Sequence, residues 1–146
     1  MPCELCEHDG GALIWRNDDC RVVLVAEPGY RGYCRAIWNS HVREMTDLPR
    51  NQRNRFMDVV FAVESVLRER VRPEKVNLAS LGNLTPHLHW HVIPRFGDDP
   101  HFPGSVWSEV RRPPGESHPR LAEAGLGRHI AERLSGLDQG GATGKT

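Results

Sequence analysis

No charge of one sign predominates in this chain. Lysine plus arginine number 19, aspartate plus glutamate also 19, and the formal net charge is zero. There is then no global field to draw in nucleic acid or an anionic membrane. Long hydrophobic runs are lacking too, since none approaches the roughly 18 residues of a membrane helix. The opening stretch "MPCELCEHDGG" is acidic and polar, unlike a signal peptide. No internal repeat is visible. Cysteine is scarce, with four in the chain. A cytoplasmic protein is the simplest expectation, and its cysteines then read as thiols or metal ligands rather than disulfides. Neither nucleic acid nor a membrane is expected as a partner.

What is present fits one domain, for 146 residues can bury a working core without staples. "ALIWR" (12–16) and "CRVVLVAE" (20–27) read as strands joined by the turn "NDD". "YCRAIWN" (33–39), after the turn "PGYRG", reads as a third. Then the period changes. Phe56, Val59, Val60, Val63, Val66 and Leu67 form the stripe of an amphipathic helix. Pro49 suits its first turn, and Arg68, Arg70 and Arg72 suit its end. The run "RNQRNR" (50–55) reads as a solvated helix face rather than a basic contact patch. "KVNLASL" (75–81) predicts another strand, and a Gly-Asn turn follows at 82–83. Residues 96–117 are proline-rich and predict irregular chain. A helix is predicted over 119–135, and "GLDQGGATGKT" has the composition of a flexible end. Strands, a long helix and strands again make an α+β order.

Chemistry concentrates in "PHLHWHVIPR", residues 86–95. His87, His89 and His91 alternate with apolar residues, which predicts a strand carrying all three imidazoles on one face, about 6.6 Å apart. Three readings compete. A solvated face needs no function. A metal could be held by the histidines, as in zinc sites with an open water position, though the next carboxylates, Asp98 and Asp99, lie past the strand end. A neutral imidazole is also a nucleophile toward phosphorus, provided its other nitrogen is held and donors meet the developing charge.

"HLHWHVI" fits His-φ-His-φ-His-φ-φ, with φ apolar, at all seven positions. That motif resembles the signature of the histidine triad (HIT) family of nucleotide hydrolases and transferases. "AIWNSHVREMTDL" resembles the family's strand-to-helix passage, and "NLASLGN" the strand and glycine turn before the triad. The resemblance covers about residues 3–95. It implies an α+β domain with an antiparallel sheet of about five strands, one long helix and a C-terminal helix. The expected division is a histidine triad domain over 1–112 and, from the chain's own pattern, a C-terminal extension over 113–146 bearing the predicted helix and tail. It implies that His89 attacks the α-phosphorus, that His91 helps the leaving group depart, and that His87 supports the site. Asn77, Gly82 and Asn83 match positions near phosphate and ribose. Many members place Gln, then Ser or Thr, after that glycine. This chain has Asn83 then Leu84, with Thr85 one place later as a replacement hydroxyl, and Pro86 removes an amide donor.

"CELC" gives Cys3 and Cys6 the spacing of half a zinc knuckle. Zinc-bearing members of the family and related uridylyltransferases imply the other half, His41 and His87. The expected cofactor is one structural zinc, and no organic cofactor is expected. Cys20 and Cys34 read as ordinary buried residues. His101 and Trp107 lie in a loop that covers either a bound base or the domain's own surface. His8, His118 and His129 receive no role. The resemblance further implies a homodimer joined through the long helix and an adjacent strand.

Three functions follow. The first is a hydrolase or transferase cleaving an α-phosphate bond of a dinucleoside polyphosphate or nucleoside phosphoramidate, through a nucleotidyl-histidine. The second is a metal-dependent hydrolase with all three histidines on one metal. The third is a nucleotide-binding protein without catalysis.

Overall fold

The early alternating segments form a meander of three strands. These are β1 (Ala12–Arg16), β2 (Cys20–Leu24) and β3 (Cys34–Trp38). In this computed structural model, which describes residues 2–115 and 125–143, two more strands follow. They are β4 (Lys75–Ala79) and β5 (His89–Arg95). The five make one sheet in the order β1-β2-β3-β5-β4, with every neighbouring pair antiparallel. The strand ends fall short of the predicted ones, at Leu24, Trp38 and Ala79. Asn17 shapes the first turn by accepting the backbone N–H groups of Asp19 and Cys20, at 3.0 and 2.9 Å.

β5 inserts between β3 and β4, so its ladder is satisfied on both edges. It starts at His89, not earlier. His87 therefore precedes the strand, correcting the expectation of three histidines on one strand face. Pro86 lacks the N–H a ladder needs, and the His87 N–H turns back to the Thr85 carbonyl at 2.8 Å.

The long helix, α2 (Arg50–Arg70), buries all six residues of its predicted stripe, with Pro49 as its cap residue. They pack on one sheet face through Val22, Ala36 and Val92. In "RNQRNR", Arg50, Asn51, Asn54 and Arg55 are exposed, as a solvated face requires. Arg55 pairs with Asp19 at 2.9 Å, an exposed contact worth well under about 1 kcal/mol.

The C-terminal helix, α3, spans Leu126–Thr143. It begins later than predicted and runs into the stretch read as a tail. Positions 119–124, 144–146 and His118 lie outside the described residues. Leu126, Ile130 and Leu134, four apart, are buried in the same core as α2. That apolar face favours continuing the helix over what glycine composition alone suggests. No helix among the described residues is long and apolar enough to cross a membrane.

The opposite sheet face is covered from two sides. A one-turn helix, α1 (Glu4–Glu7), lays Leu5 on Val23 and Ile37. Buried Arg21 pins this N-terminal segment, donating Nη2 to the Leu5 and His8 carbonyls and Nε to that of Asp9. Gly10 is required below it: φ is +88°, and a Cβ would lie 2.8 Å from Leu5 Cδ2 and 2.9 Å from Ile37 Cδ1. From the other side comes the irregular segment 96–115. Its hub is Asp99, which forms a buried ion pair with Arg95 at 2.8 Å and accepts the N–H groups of His101 and Phe102 at 3.1 and 2.8 Å.

Candidate functional site

The chain gathers two groups of polar side chains between those covers. The first joins residues far apart in sequence. Cys3 caps α1 and Cys6 lies three residues on within it, which brings both thiols to the same side of that one turn. Leu88 clamps the passage after β3, donating to the Val42 carbonyl at 2.8 Å and accepting from Trp38 N–H at 3.1 Å. That clamp brings His41 beside His87. The four donor atoms all lie within 4.8 Å of one another. Sulfur and imidazole Nδ1 are 3.4 Å apart for Cys3–His87, 3.4 Å for Cys6–His41 and 3.5 Å for Cys6–His87. The two Nδ1 atoms are 3.3 Å apart. A tetrahedral ion with ligand distances of about 2.0 to 2.3 Å needs edges of about 3.3 to 3.8 Å, and these four of the six edges meet that range. His87 Nε2 donates to the Trp38 carbonyl at 2.6 Å, which leaves its Nδ1 lone pair directed to the cluster. Burial, the largest effect, pushes the His87 pKa down and keeps the imidazole neutral, as a ligand must be.

The second group is His89, His91 and their partners on β3. Nδ1–H of His89 donates to the His87 carbonyl at 2.5 Å, so Nε2 carries the lone pair. Burial lowers the His89 pKa first of all, and the Arg35 charge acts the same way. His89 is across the ladder from Ile37, and His91 from Arg35. The Tyr33 hydroxyl lies 3.1 Å from His91 Nδ1. Burial raises the Tyr33 pKa, so the phenol keeps its proton, and the Arg35 guanidinium beside it can only donate. Tyr33 therefore donates to Nδ1, which places the His91 hydrogen on Nε2. The rings of His89 and His91 meet edge to face, with centroids 4.9 Å apart. An imidazole held with a free lone pair beside one carrying a hydrogen can pair a nucleophile or base with a donor.

His91 is buried, and its pKa is pushed down to about 3, by burial first and then by the charges of His89 and Arg35. An unfolded histidine titrates near about 6.5. Between those values the folded state binds fewer protons, so stability falls as pH drops through that window. We predict a loss of about 2 kcal/mol from this group between pH 7 and 5. Urea midpoints of the wild type against His91→Gln isolate it from other acid-sensitive groups. Parallel declines would contradict the prediction.

The other expected residues are less gathered. Gly82 adopts φ +84° in the turn after β4, as a glycine turn needs. Asn83 and Leu84 are exposed there, and Thr85 is half-buried. Asn77 is occupied, its Oδ1 accepting Arg95 Nη1 at 2.8 Å. Among the described residues, the only cluster of metal-donor side chains is Cys3, Cys6, His41 and His87, and no cluster joins all three triad histidines. Asp99 is taken by Arg95. Cys20 and Cys34 are buried in the core, as expected, and are not joined in a disulfide. His101 packs on the domain's own surface, buried with its Nδ1 2.6 Å from the Tyr30 hydroxyl. Trp107 is half exposed, its ring centroid 4.8 Å from that of His91. Sequence reasoning missed Arg35 and Tyr33. Their signal was a polar side chain recurring every second residue in "YCRAIWN", on the face opposite Cys34, Ala36 and Trp38.

Comparisons with known proteins agree with the fold. The family model described as HIT domain matches residues 9–98. A histidine triad protein from Bradyrhizobium japonicum superposes with a TM-score of 0.73 at 23% identity, covering 92% of this chain and 97% of that one. One from Marinobacter aquaeolei VT8 gives 0.71 at 26% identity, covering 94% and 97%. A zinc-bound histidine triad family protein from Mycobacterium smegmatis gives 0.60 at 24%, covering 96% and 98%. Among curated proteins none matches.

Proposed function

Because the chain belongs to the HIT domain family, we propose that it cleaves an α-phosphate bond of a nucleotide conjugate through a covalent nucleotidyl-histidine. The observation that carries this reading is the tether of His89 Nδ1–H to the His87 carbonyl, which frees Nε2 for attack. The Nε2 lone pair forms a P–N bond to the α-phosphorus. The bond from phosphorus to the leaving group breaks, and its electron pair departs with that group. His91 Nε2–H donates a hydrogen bond to the departing atom. Water then attacks phosphorus, the P–N bond breaks, and the electron pair returns to His89. A nucleoside monophosphate leaves.

Cys3, Cys6, His41 and His87 would hold one structural zinc, which supplies rigidity and none of the bond breaking. It would pin the N-terminal segment to the residue whose carbonyl orients His89. A labelled conjugate quenched early in turnover should leave nucleotide on His89 in an acid-labile, base-stable bond. Label on another residue, or turnover with no bound label at any time, would sink the reading.

The same family membership leads us to propose a homodimer. Phe61 on α2 is half exposed, and β4 is an edge strand, so an apolar side chain and an unpaired ladder are free for a second copy. Sedimentation across micromolar concentrations should give a dimer, and Phe61→Glu should shift it toward monomer. A monomeric wild type would remove the claim.

A further inference from the structure

Arg35 is a cation without a counter-ion. Among the described residues no carboxylate pairs with it. Nη1 donates to the Gly10 carbonyl at 3.1 Å, and Nε is buried with no hydrogen-bond partner. The residue is half-buried, and a partly desolvated charge is ordinarily paired, because withdrawing it from water alone is costly. Leaving one unpaired is tolerable where an anion supplies the missing half.

Its place says which anion. Arg35 lies across the ladder from His91, and Ile37 across from His89. Cross-strand neighbours have Cβ atoms about 4.5 to 5.5 Å apart, within easy reach of a guanidinium. His91 is two residues beyond the nucleophile, so Arg35 flanks the far side of the bond that breaks. The turn on the near side is poor in donors. Leu84 there is exposed and has no polar side chain, and Pro86 has no N–H, which leaves Thr85 as the hydroxyl of that stretch.

We propose that Arg35 is a specificity-determining residue that takes up the negative charge of the leaving group, so that the site favours conjugates whose leaving group carries phosphate. This rests on the nucleotidyl-transfer reading and sharpens it. A guanidinium matches phosphate oxygens with two parallel N–H donors and stays charged throughout. It gains nothing from a neutral amine.

The test uses two substrates sharing one adenylyl half, diadenosine triphosphate and adenosine 5′-phosphoromorpholidate, on full-length, zinc-replete protein. Arg35→Gln should lower kcat/KM for both substrates, since the guanidinium also faces Tyr33 and His91, but the loss on the triphosphate should exceed the loss on the morpholidate by at least about tenfold. Arg35→Lys should recover part of the triphosphate rate. An equal loss on both substrates, or on neither, overturns the proposal. A measurement on the wild type guards against a variant that fails to fold: ADP should inhibit morpholidate turnover at least tenfold better than AMP. Equal inhibition would likewise overturn it. Adenylyl label on His89 in Arg35→Gln, fed morpholidate, separates the two readings. With label present and no discrimination, only the role of Arg35 falls. With neither substrate labelling even the wild type, both fall.

Discussion

Replacing His89 with alanine is expected to lower turnover at least a thousandfold while leaving nucleotide affinity within a few-fold. The asymmetry follows from what the imidazole does. It contributes the lone pair that splits one difficult displacement into two easier ones, and nothing else in the site can form that P–N bond. His91 cannot substitute, because Tyr33 occupies its Nδ1 and its Nε2 carries the hydrogen. Removal of a nucleophile from a set that acts together typically costs about as much as removing the whole set. Affinity should be spared because, in the proposed reading, the base and ribose would rest on other residues. The ring is buried, so its loss also leaves a cavity, and a melting curve must accompany the kinetics. A folded His89→Gly variant offers a sharper check. Added imidazole should enter the vacated space and restore part of the rate. Near-wild-type turnover by His89→Ala would remove the nucleophile assignment. So would a variant that loses affinity and rate in equal measure.

Much of this arrangement was legible in the chain, and the exceptions have physical causes. The α2 stripe was plain because six apolar residues keep one period across a helix of 21 residues. The strands were plain because turn residues bound them. His87 was placed on the wrong element. Alternation continues through "PHLHWHV", but ladder membership depends on partner strands, which a single segment does not encode. Cys3 and Cys6 advertised half a site by their spacing. His41 is 35 residues from Cys6, and no local pattern links them; only the resemblance supplied it. Arg35 was hidden for the opposite reason. One polar residue in an apolar strand reads as a snorkelling surface side chain until the sheet order sets it opposite His91. The α3 terminus was misread because glycine composition was weighed without the Leu126, Ile130 and Leu134 face that stabilises the helix from within the core.

Protein as purified should carry close to one zinc per chain, and Cys3→Ser should lose it and melt about 10 °C lower. Four of the six donor edges already match a tetrahedron and all donors lie within 4.8 Å of one another, so binding would need little rearrangement and its free energy would go into folding. Without the ion, the four donors would be left with weak thiol and imidazole hydrogen bonds, and the N-terminal segment would be held by Leu5 and by the contacts of Arg16, Arg21 and Arg35. A shift of about 10 °C corresponds to a few kcal/mol in a domain of this size. Activity should fall in step although zinc touches no reacting atom. The route is short: zinc would fix His87, whose carbonyl holds the Nδ1–H of His89 and so its tautomer and orientation. Elemental analysis, melting curves and turnover, read together on chelated and reconstituted wild type, test each link. A stripped protein with unchanged melting temperature would end the structural role. If His89→Ala or His91→Ala also stripped the ion, the metal would belong to the triad itself, and catalysis through a bound metal would replace the covalent reading.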